Sequence, residues 1–426
     1  MKPLSKKSLV SKAVKSRDFI ANPVFTNDAA CPNDARWMGA AIAESRRAVG
    51  NSGVNPPVGC VLVTTGGQLL ASGHTGIEGV PHAEAAALAS LDDMGLSAIR
   101  GGTAYVTLEP CAHLGKTPPC ADAVIAAGVA RLVVAIKDPD TRVNGAGMQR
   151  IAAAGIEVCL GVKADEAYDI MRGFINKIQY NKPLCSLKIA ASIDGKIALA
   201  DGKKRWLTGP GMRRYVHLLR SQADAIITGI GTVLADNPQM NCRIAGLEDF
   251  SPPVFVFDRF LRIPSDAALF QSQHPVTLFC GAGAPADRRD QLSAAGCVIV
   301  VLPDDANGKP DVEAALRYLG DIGVNNVLVE AGTGLVTSFL AADAVDQIYW
   351  TQSDHILGLD ALPAIGVLMS PTSSPPPLGT VTDRSAINTV AIFVENKYIQ
   401  SHHQVIGNDR LTILRKQPVN SGKAQA

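Results

Sequence analysis

The sequence predicts an α/β protein built from two domains, and three observations lead to this fold class. The chain has 426 residues, which is more than one ordinary hydrophobic core accommodates. Short apolar runs alternate with helical stretches in both halves, the pattern of layered α/β domains. The two halves carry different motifs and no internal repeat, so two unlike domains are expected.

The first half predicts three helices and three strands. The helices are expected over residues 35–49, 82–91 and 121–127, and the strands over residues 58–63, 104–108 and 131–136. Residues 174–183 are polar and end in Pro183, which predicts a linker. The predicted organisation is a basic, disordered tail at 1–33, a first domain at 34–173, the linker, a second domain at 184–415 and a polar, disordered tail at 416–426.

The second half predicts a longer series of strands, and residues 371–377 (PTSSPPP) predict a surface loop. The strands are expected over residues 187–192, 225–228, 254–257, 276–279, 298–302 and 326–330.

Composition limits the class of protein. Charged residues make up 19% of the chain and the net charge is +1, so the chain lacks the basic excess of a nucleic-acid binder. No apolar run reaches the roughly 20 residues that span a bilayer. The nine cysteines are scattered in a long chain, which favours a reducing compartment over a disulfide framework. The first 17 residues hold six Lys/Arg and no acid, typical of a solvated tail, with a partner-binding arm or a targeting peptide as alternatives.

Three residues of the first domain match the ligands of a catalytic zinc site. His82 lies in residues 81–84 (PHAE), Cys111 follows Glu109 and Pro110, and Cys120 follows two prolines. A catalytic zinc takes three nitrogen, sulfur or oxygen ligands from the protein and leaves a fourth position for water. The prolines before His82 and Cys120 predict that both ligands lie in first turns of helices, where the helix dipole stabilises a thiolate.

Glu84 lies two residues after the first ligand and is predicted to move protons without binding the metal. His-x-Glu followed by Pro-Cys and a second Cys is the signature of zinc-dependent nucleobase deaminases. Taken singly, these residues could be buried structural cysteines and a core histidine, but the combination favours zinc. Residues 112–119 separate the two cysteines, a longer insert than the two residues of that signature.

The insert is similar to the deaminase domain of the bifunctional deaminase–reductase family of riboflavin biosynthesis, the RibD family. Further similar segments are residues 55–59 (NPPVG), 72–74 (SGH), 138–139 (DP) and 145–147 (GAG). The resemblance implies that Asn55, His74 and Lys116 contact the substrate. An amide can bind a pyrimidine edge, and a lysine can bind a phosphate as a point charge. Asn55 before Pro56 is equally a turn residue, and Lys116 equally a solvated loop lysine.

In the second half, residues 330–335 (EAGTGL) lie between a predicted strand and a predicted helix. Backbone N–H groups at such a helix start can bind a phosphate, although glycine-rich turns also occur for steric reasons. This half is similar to the reductase domain of the same family, which has a dihydrofolate-reductase-like α/β fold. The similar segments are residues 187–196, 205–208, 217–220, 231–238 and 329–332.

This resemblance implies two sets of contacts. NADPH would be contacted by Ala191, Trp206, Thr232, Asp236, Gly332, Thr333 and Gly334. The phosphorylated pyrimidine would be contacted by Lys188, Lys204, Arg220, Met240, Arg243 and Glu330. Arginines and lysines suit a phosphate, although surface charge is the alternative. The chain departs from the family at Lys204, where a small polar residue is common, and over residues 348–358.

The resemblance implies a cytidine-deaminase-like three-layer α/β/α domain with one zinc ion, followed by the reductase domain. The first would deaminate 2,5-diamino-6-(5-phosphoribosylamino)pyrimidin-4-one by hydrolysis, and the second would reduce the ribosyl group to ribityl with NADPH. It also implies a cytoplasmic homo-oligomer, dimer or tetramer, that acts on a small molecule and binds neither nucleic acid nor membrane.

Three rival interpretations remain. A degenerate or differently specific reductase domain is open because of the departure at Lys204. A nucleic-acid deaminase should carry a basic groove and stacking aromatic residues, whereas this chain has 5% aromatic residues. A structural zinc module usually has four protein ligands rather than three.

Overall fold

The computed structural model describes residues 31, 33–114, 118–140, 143–201, 205–272, 274–366 and 397–417. Most of the predicted N-terminal tail, Lys116, Lys204 and residues 371–377 lie outside the described residues. Two main sheets organise the described part of the chain, one in each half.

The first sheet has five strands in the order β2-β1-β3-β4-β5, antiparallel from β2 to β3 and parallel from β3 to β5. Its strands are β1 Gly59–Val63, β2 Leu69–His74, β3 Thr103–Leu108, β4 Arg131–Ile136 and β5 Glu157–Leu160. Its helices are α1 Asp34–Ser45, α2 Ala83–Ala89, α3 Asp93–Ala98, α4 Cys120–Ala127, α5 Ala146–Ala153 and α6 Ala164–Tyr180.

Helices cover both faces of this sheet. Gly59 faces α1 so closely that a Cβ atom there would lie 1.9 Å from the Ala41 oxygen. Gly73 faces α2, where a Cβ atom would lie 2.6 Å from the Ala83 oxygen. Gly73 pairs with Cys60, the neighbour of Gly59, and successive strand residues point to opposite faces, so α1 and α2 lie on opposite sides. The domain therefore has the expected three α/β/α layers.

The predicted linker at 174–183 is wrong as a description of local structure. Helix α6 continues to Tyr180 and leaves only a short connection before the next strand. Phe174 and Ile175 are buried in the first hydrophobic core, and the polar residues that suggested a linker lie on the exposed face of the same helix. The helix packs against β3 and β4 of the first sheet and against β6, Leu184–Ala191, of the second.

The second sheet has nine strands in the order β11-β10-β9-β8-β12-β6-β13-β16-β15, parallel from β11 to β13 and antiparallel beyond. Its strands are β6 Leu184–Ala191, β8 Ala225–Gly229, β9 Val254–Phe257, β10 Val276–Cys280, β11 Val298–Val301, β12 Asn326–Glu330, β13 Gln347–Gln352, β15 Tyr398–Ile406 and β16 Asp409–Lys416, while β7 Lys196–Ala198 pairs with β14 Leu362–Pro363. Its helices are α7 Pro210–Ser221, α8 Ile230–Asp236, α9 Ala286–Ala294, α10 Val312–Asp321 and α11 Thr333–Ala341.

The inner parallel strands β8, β9 and β10 are buried on both faces, as βαβ crossovers require, whereas the edge strand β11 is partly exposed. Alternate residues of β9 enter two different cores: Val254 and Val256 lie in one, and Phe255 and Phe257 in the other. The last strand ends at Lys416, one residue beyond the predicted end of the domain. None of the helices in the described residues combines the length and hydropathy that a membrane span needs.

Candidate active sites

The three predicted zinc ligands converge in the first domain. The ligand atoms of His82, Cys111 and Cys120 all lie within 4.8 Å of one another. His82 Nδ1 is 3.3 Å from the sulfur of Cys120 and 3.6 Å from that of Cys111. One imidazole nitrogen and two sulfurs are donors that zinc prefers, and a trio leaves a fourth position open. The residues therefore fit a catalytic zinc ion.

Helix starts place these ligands, as the sequence predicted. His82 caps the N-terminus of α2, and Cys120 is the first residue of α4. The Cys120 backbone N–H donates a hydrogen bond to the Cys111 sulfur at 3.3 Å. Hydrogen bonds from Cys120 and His82 lower the pKa of Cys111 to about 4 against the opposing effect of burial. A lowered pKa favours the thiolate form of Cys111, which is the form that binds metal.

Glu84 lies in the first turn of α2 and is 5% exposed. Burial raises the pKa of its carboxyl group, which also accepts a hydrogen bond from the Cys120 thiol. A carboxyl group with a raised pKa beside a metal site is suited to accept and return a proton.

Glu109 organises the loop behind the ligands, a role that the sequence analysis missed. Its buried carboxylate accepts backbone hydrogen bonds from Gly145 and Gly147 at 2.9 Å each, and from Asp138 and Met148 at 3.3 and 3.4 Å. A Cβ atom at Gly147 would lie 1.9 Å from the Pro110 oxygen, so only glycine permits this approach. The GAG motif at residues 145–147 had marked this segment as similar to the family. It did not predict the contact with Glu109, because backbone N–H donors are present in almost every residue and leave no pattern in the sequence.

Two of the predicted substrate residues of the first domain, Asn55 and His74, lie in a loop and at a strand end. His74 ends β2, and its Nδ1 lies 3.2 Å from the Glu44 carboxylate. The Asn55 amide lies 3.5 Å from the Glu78 oxygen, in the segment that leads to His82.

The second sheet carries a cavity of about 1170 Å³ at a point where its chain connections diverge. Strands β8 and β12 are neighbours, but their following helices α8 and α11 lead to strands on opposite sides of the pair. Such switch points form crevices at the carboxyl ends of parallel strands, where ligands bind in open α/β sheets. The sequence could not reveal this, because strand order is not encoded in local pattern.

Most of the predicted reductase residues line this cavity. They are Lys188, Trp206, Arg220, Thr232, Asp236, Met240, Arg243, Glu330, Gly332, Thr333 and Gly334. Ala191 is fully buried in the core of the second domain and is not among the residues that line the cavity, so its contact with NADPH stays a prediction. The lining also includes Arg213 and His217, which the sequence analysis did not assign.

A buried ion pair forms the floor of the cavity. Arg220 donates to both oxygens of Glu330, at 2.6 and 3.0 Å, and to the Asn241 oxygen at 3.0 Å. Burial alone would raise the pKa of Glu330, but the Arg220 guanidinium outweighs it and lowers that pKa. Burial lowers the pKa of Lys188, with Glu330 opposing the change. Lys188, Arg220 and Glu330 are therefore one electrostatically interacting buried group and not separate surface charges, whereas Arg243 is exposed.

The glycine-rich segment begins α11 beside this group. Gly332 caps the helix, and its N–H donates to the Thr232 hydroxyl at 3.1 Å. Trp206 is 63% exposed, and the Arg213 guanidinium stacks 4.8 Å from the centre of its ring. A helix start, a hydroxyl and an aromatic face along one wall suit a phosphate-bearing nucleotide.

Comparisons with known proteins match both halves. The family model described as the cytidine and deoxycytidylate deaminase zinc-binding region matches residues 32–136, and the RibD C-terminal domain matches residues 183–368. The riboflavin biosynthesis protein RibD of Escherichia coli is 35% identical over 77% of this chain and 89% of its own. RibD of Aquifex aeolicus is 32% identical over 76% and 88%.

Solved structures agree over the whole fold. RibD of Acinetobacter baumannii superposes with a TM-score of 0.75 at 31% identity, covering 90% of this chain and 99% of its own. A Thermotoga maritima protein described as a diaminohydroxyphosphoribosylaminopyrimidine deaminase and 5-amino-6-(5-phosphoribosylamino)uracil reductase superposes with a TM-score of 0.74 at 30% identity, with the same coverage.

Proposed function

Since the chain belongs to the RibD family of deaminase–reductases in riboflavin biosynthesis, we propose that it carries out both reactions in order on one pyrimidine. The first is hydrolytic deamination of 2,5-diamino-6-(5-phosphoribosylamino)pyrimidin-4-one. The second is NADPH-dependent reduction of the ribosyl group of the product to ribityl. The observation that carries the proposal is the buried Glu84 carboxyl group beside the trio His82, Cys111 and Cys120.

In the first reaction the trio would hold one zinc ion, which lowers the pKa of water and so supplies a nucleophile near neutral pH. Glu84 accepts a proton at its carboxylate from the attacking water and donates it to the leaving amine, which departs as ammonia. The pyrimidine and its phosphate are bound by three side chains: the amide of Asn55, the imidazole of His74 and the ammonium group of Lys116. The buried carboxylate of Glu109 keeps the Cys111 loop in place while this happens.

In the second reaction NADPH would supply the hydride. That cofactor would be bound by cavity-lining residues: the Gly332–Gly334 turn, Thr232, Asp236 and Trp206. Arg220 and Glu330, with Lys188, Lys204, Met240 and Arg243, would bind the phosphorylated substrate. The ion pair fixes the orientation of the guanidinium before substrate arrives, because both of its carboxylate contacts are already formed.

Family membership is also the basis on which we propose a homo-oligomer, dimer or tetramer, which light scattering on the purified protein would measure. None of the nine cysteines forms a disulfide bond, which supports a reducing compartment such as the cytoplasm.

The test uses purified full-length protein with its zinc content measured. Diaminopyrimidine phosphate is supplied with and without NADPH, and ammonia release and NADPH oxidation are followed separately. Glu84→Gln should keep zinc, because Glu84 is not a ligand, yet lose about 10²–10⁴-fold in deamination. The same variant should still reduce the deaminated pyrimidine supplied directly. Deamination by metal-free protein, or undiminished deamination by Glu84→Gln, would contradict the proposal.

A further inference from the structure

The loop that carries Asn55 touches the other domain. This loop, residues 51–55, connects the turn after α1 to β1, and it lies against the turn that precedes β12. Asn325 of that turn donates its side-chain amide to the Gly53 oxygen at 2.9 Å and to the Asn55 oxygen at 3.3 Å. Asn325 is 2% exposed, so both hydrogen bonds are shielded from water.

Close packing against the second domain also restrains this part of the chain. A Cβ atom at Gly50 would lie 2.5 Å from the Ser221 oxygen, and one at Gly323 would lie 2.3 Å from the Val54 side chain. Asp224 holds the turn that contains Asn325: its carboxylate accepts a hydrogen bond from the backbone N–H of Asn325 at 3.0 Å. The second domain therefore supplies a rigid surface for a loop of the first.

The opposite side of the loop faces the segment that leads to the zinc ligand. The Glu78 N–H donates to the Asn51 oxygen at 2.9 Å. Gly79 lies so close to the Asn55 amide that a Cβ atom would be 1.7 Å from its nitrogen. The Gly76 N–H donates at 2.8 Å to the oxygen of Pro81, the residue before His82. Asn55 thus lies between the Asn325 turn and the zinc-ligand segment.

We propose that Asn325, although it belongs to the reductase domain, is a positioning residue for the deaminase reaction. Its amide holds loop 51–55 so that the Asn55 side chain faces the pyrimidine bound at the zinc site. The role of Asn55 rests on the proposed function, whereas the contact of Asn325 with the loop does not.

The test compares Asn325→Leu, which keeps the size of the side chain and removes both donors, with the wild type. The Gly53 oxygen would lose the amide donor of Asn325, and the Asn55 oxygen would keep only its hydrogen bond from the Ser52 hydroxyl at 2.9 Å, so we expect the KM of deamination to rise about tenfold. Because a lost ground-state contact weakens binding more than chemistry, kcat should change little. Reduction of the deaminated pyrimidine, supplied directly, should be unchanged. Asn325→Ser, which keeps one hydroxyl donor, should give an intermediate KM.

The matched control is Asp321→Ala. Asp321 accepts a hydrogen bond from Asn181 at 2.6 Å on the same side of the second domain, but it does not touch loop 51–55. A KM for Asn325→Leu equal to that of Asp321→Ala would overturn the proposal. So would a parallel loss of zinc, deamination and reduction, because that pattern indicates general destabilisation.

Hydrogen exchange separates this proposal from the proposed function. The amides of residues 51–55 should exchange faster in Asn325→Leu than in Asp321→Ala, whether or not the protein deaminates the pyrimidine. Equal exchange rates would overturn the positioning role. A wild-type protein that fails to deaminate would contradict only the proposed function.

Discussion

Replacing Glu109 by Gln tests how the zinc-ligand loop is held. The Glu109 carboxylate accepts four backbone hydrogen bonds, two at each oxygen: Asp138 and Gly145 at one, Gly147 and Met148 at the other. An amide has only one oxygen, so its NH2 group would meet two N–H donors in either orientation. Hydrogen bonds to a buried charged group contribute about 1.5–3 kcal/mol each, so the loss of two predicts a destabilisation of about 3–6 kcal/mol.

The assay is thermal unfolding of the zinc-loaded protein, with zinc release to a chelator as a second measurement. For a domain of this size, 1 kcal/mol corresponds to about 2–4 °C, so the first domain should unfold roughly 6–24 °C below the wild type. Zinc release should be faster, because Cys111 follows Glu109 by two residues. Glu166→Gln, which removes an exposed pair with Lys163, is the control and should change stability by less than about 1 kcal/mol. Equal unfolding temperatures for the two variants would refute this account of Glu109.

Two further predictions concern the second domain and its contact with the first. Arg220→Lys keeps the charge but cannot donate to both Glu330 oxygens, so reduction should fall about tenfold or more while deamination is unchanged, as measured by NADPH absorbance and ammonia release. Burial raises the pKa of Asp224 to about 6 from 3.8, so the folded state binds more protons than the unfolded state between these values. The contribution of Asp224 to stability should therefore fall as the pH rises from about 4 to 6, and Asp224→Asn should remove that fall in denaturant unfolding measured across this window. An Asp224→Asn curve parallel to the wild type would show that another group titrates there.

The sequence predicted the central strands well because they are apolar on both faces. Strands β4, β9 and β12 begin and end where the pattern placed them. It missed β15, which runs along the sheet edge and is mostly exposed, so that polar residues such as His402 and His403 give no hydrophobic pattern.

The functional residues also separate into those that the sequence predicted and those that it missed. His82, Glu84, Cys111 and Cys120 were predicted because zinc chemistry restricts both residue type and spacing. The contacts of Asn325 with Gly53 and Asn55 join residues more than 250 positions apart, so no local motif records them.

Helix α6 also determines how the two centres are placed relative to one another. Polar linker residues would act as a tether, and the two halves would then sample many orientations. The helix instead packs on strands of both sheets, and its Phe174 and Ile175 belong to the first core. A fragment cut after residue 173 would lose two core side chains, and substitutions that empty such positions cost about 2–5 kcal/mol each. The packing of α6 on both sheets therefore joins the zinc-ligand trio and the reductase cavity through a helix and not through a tether.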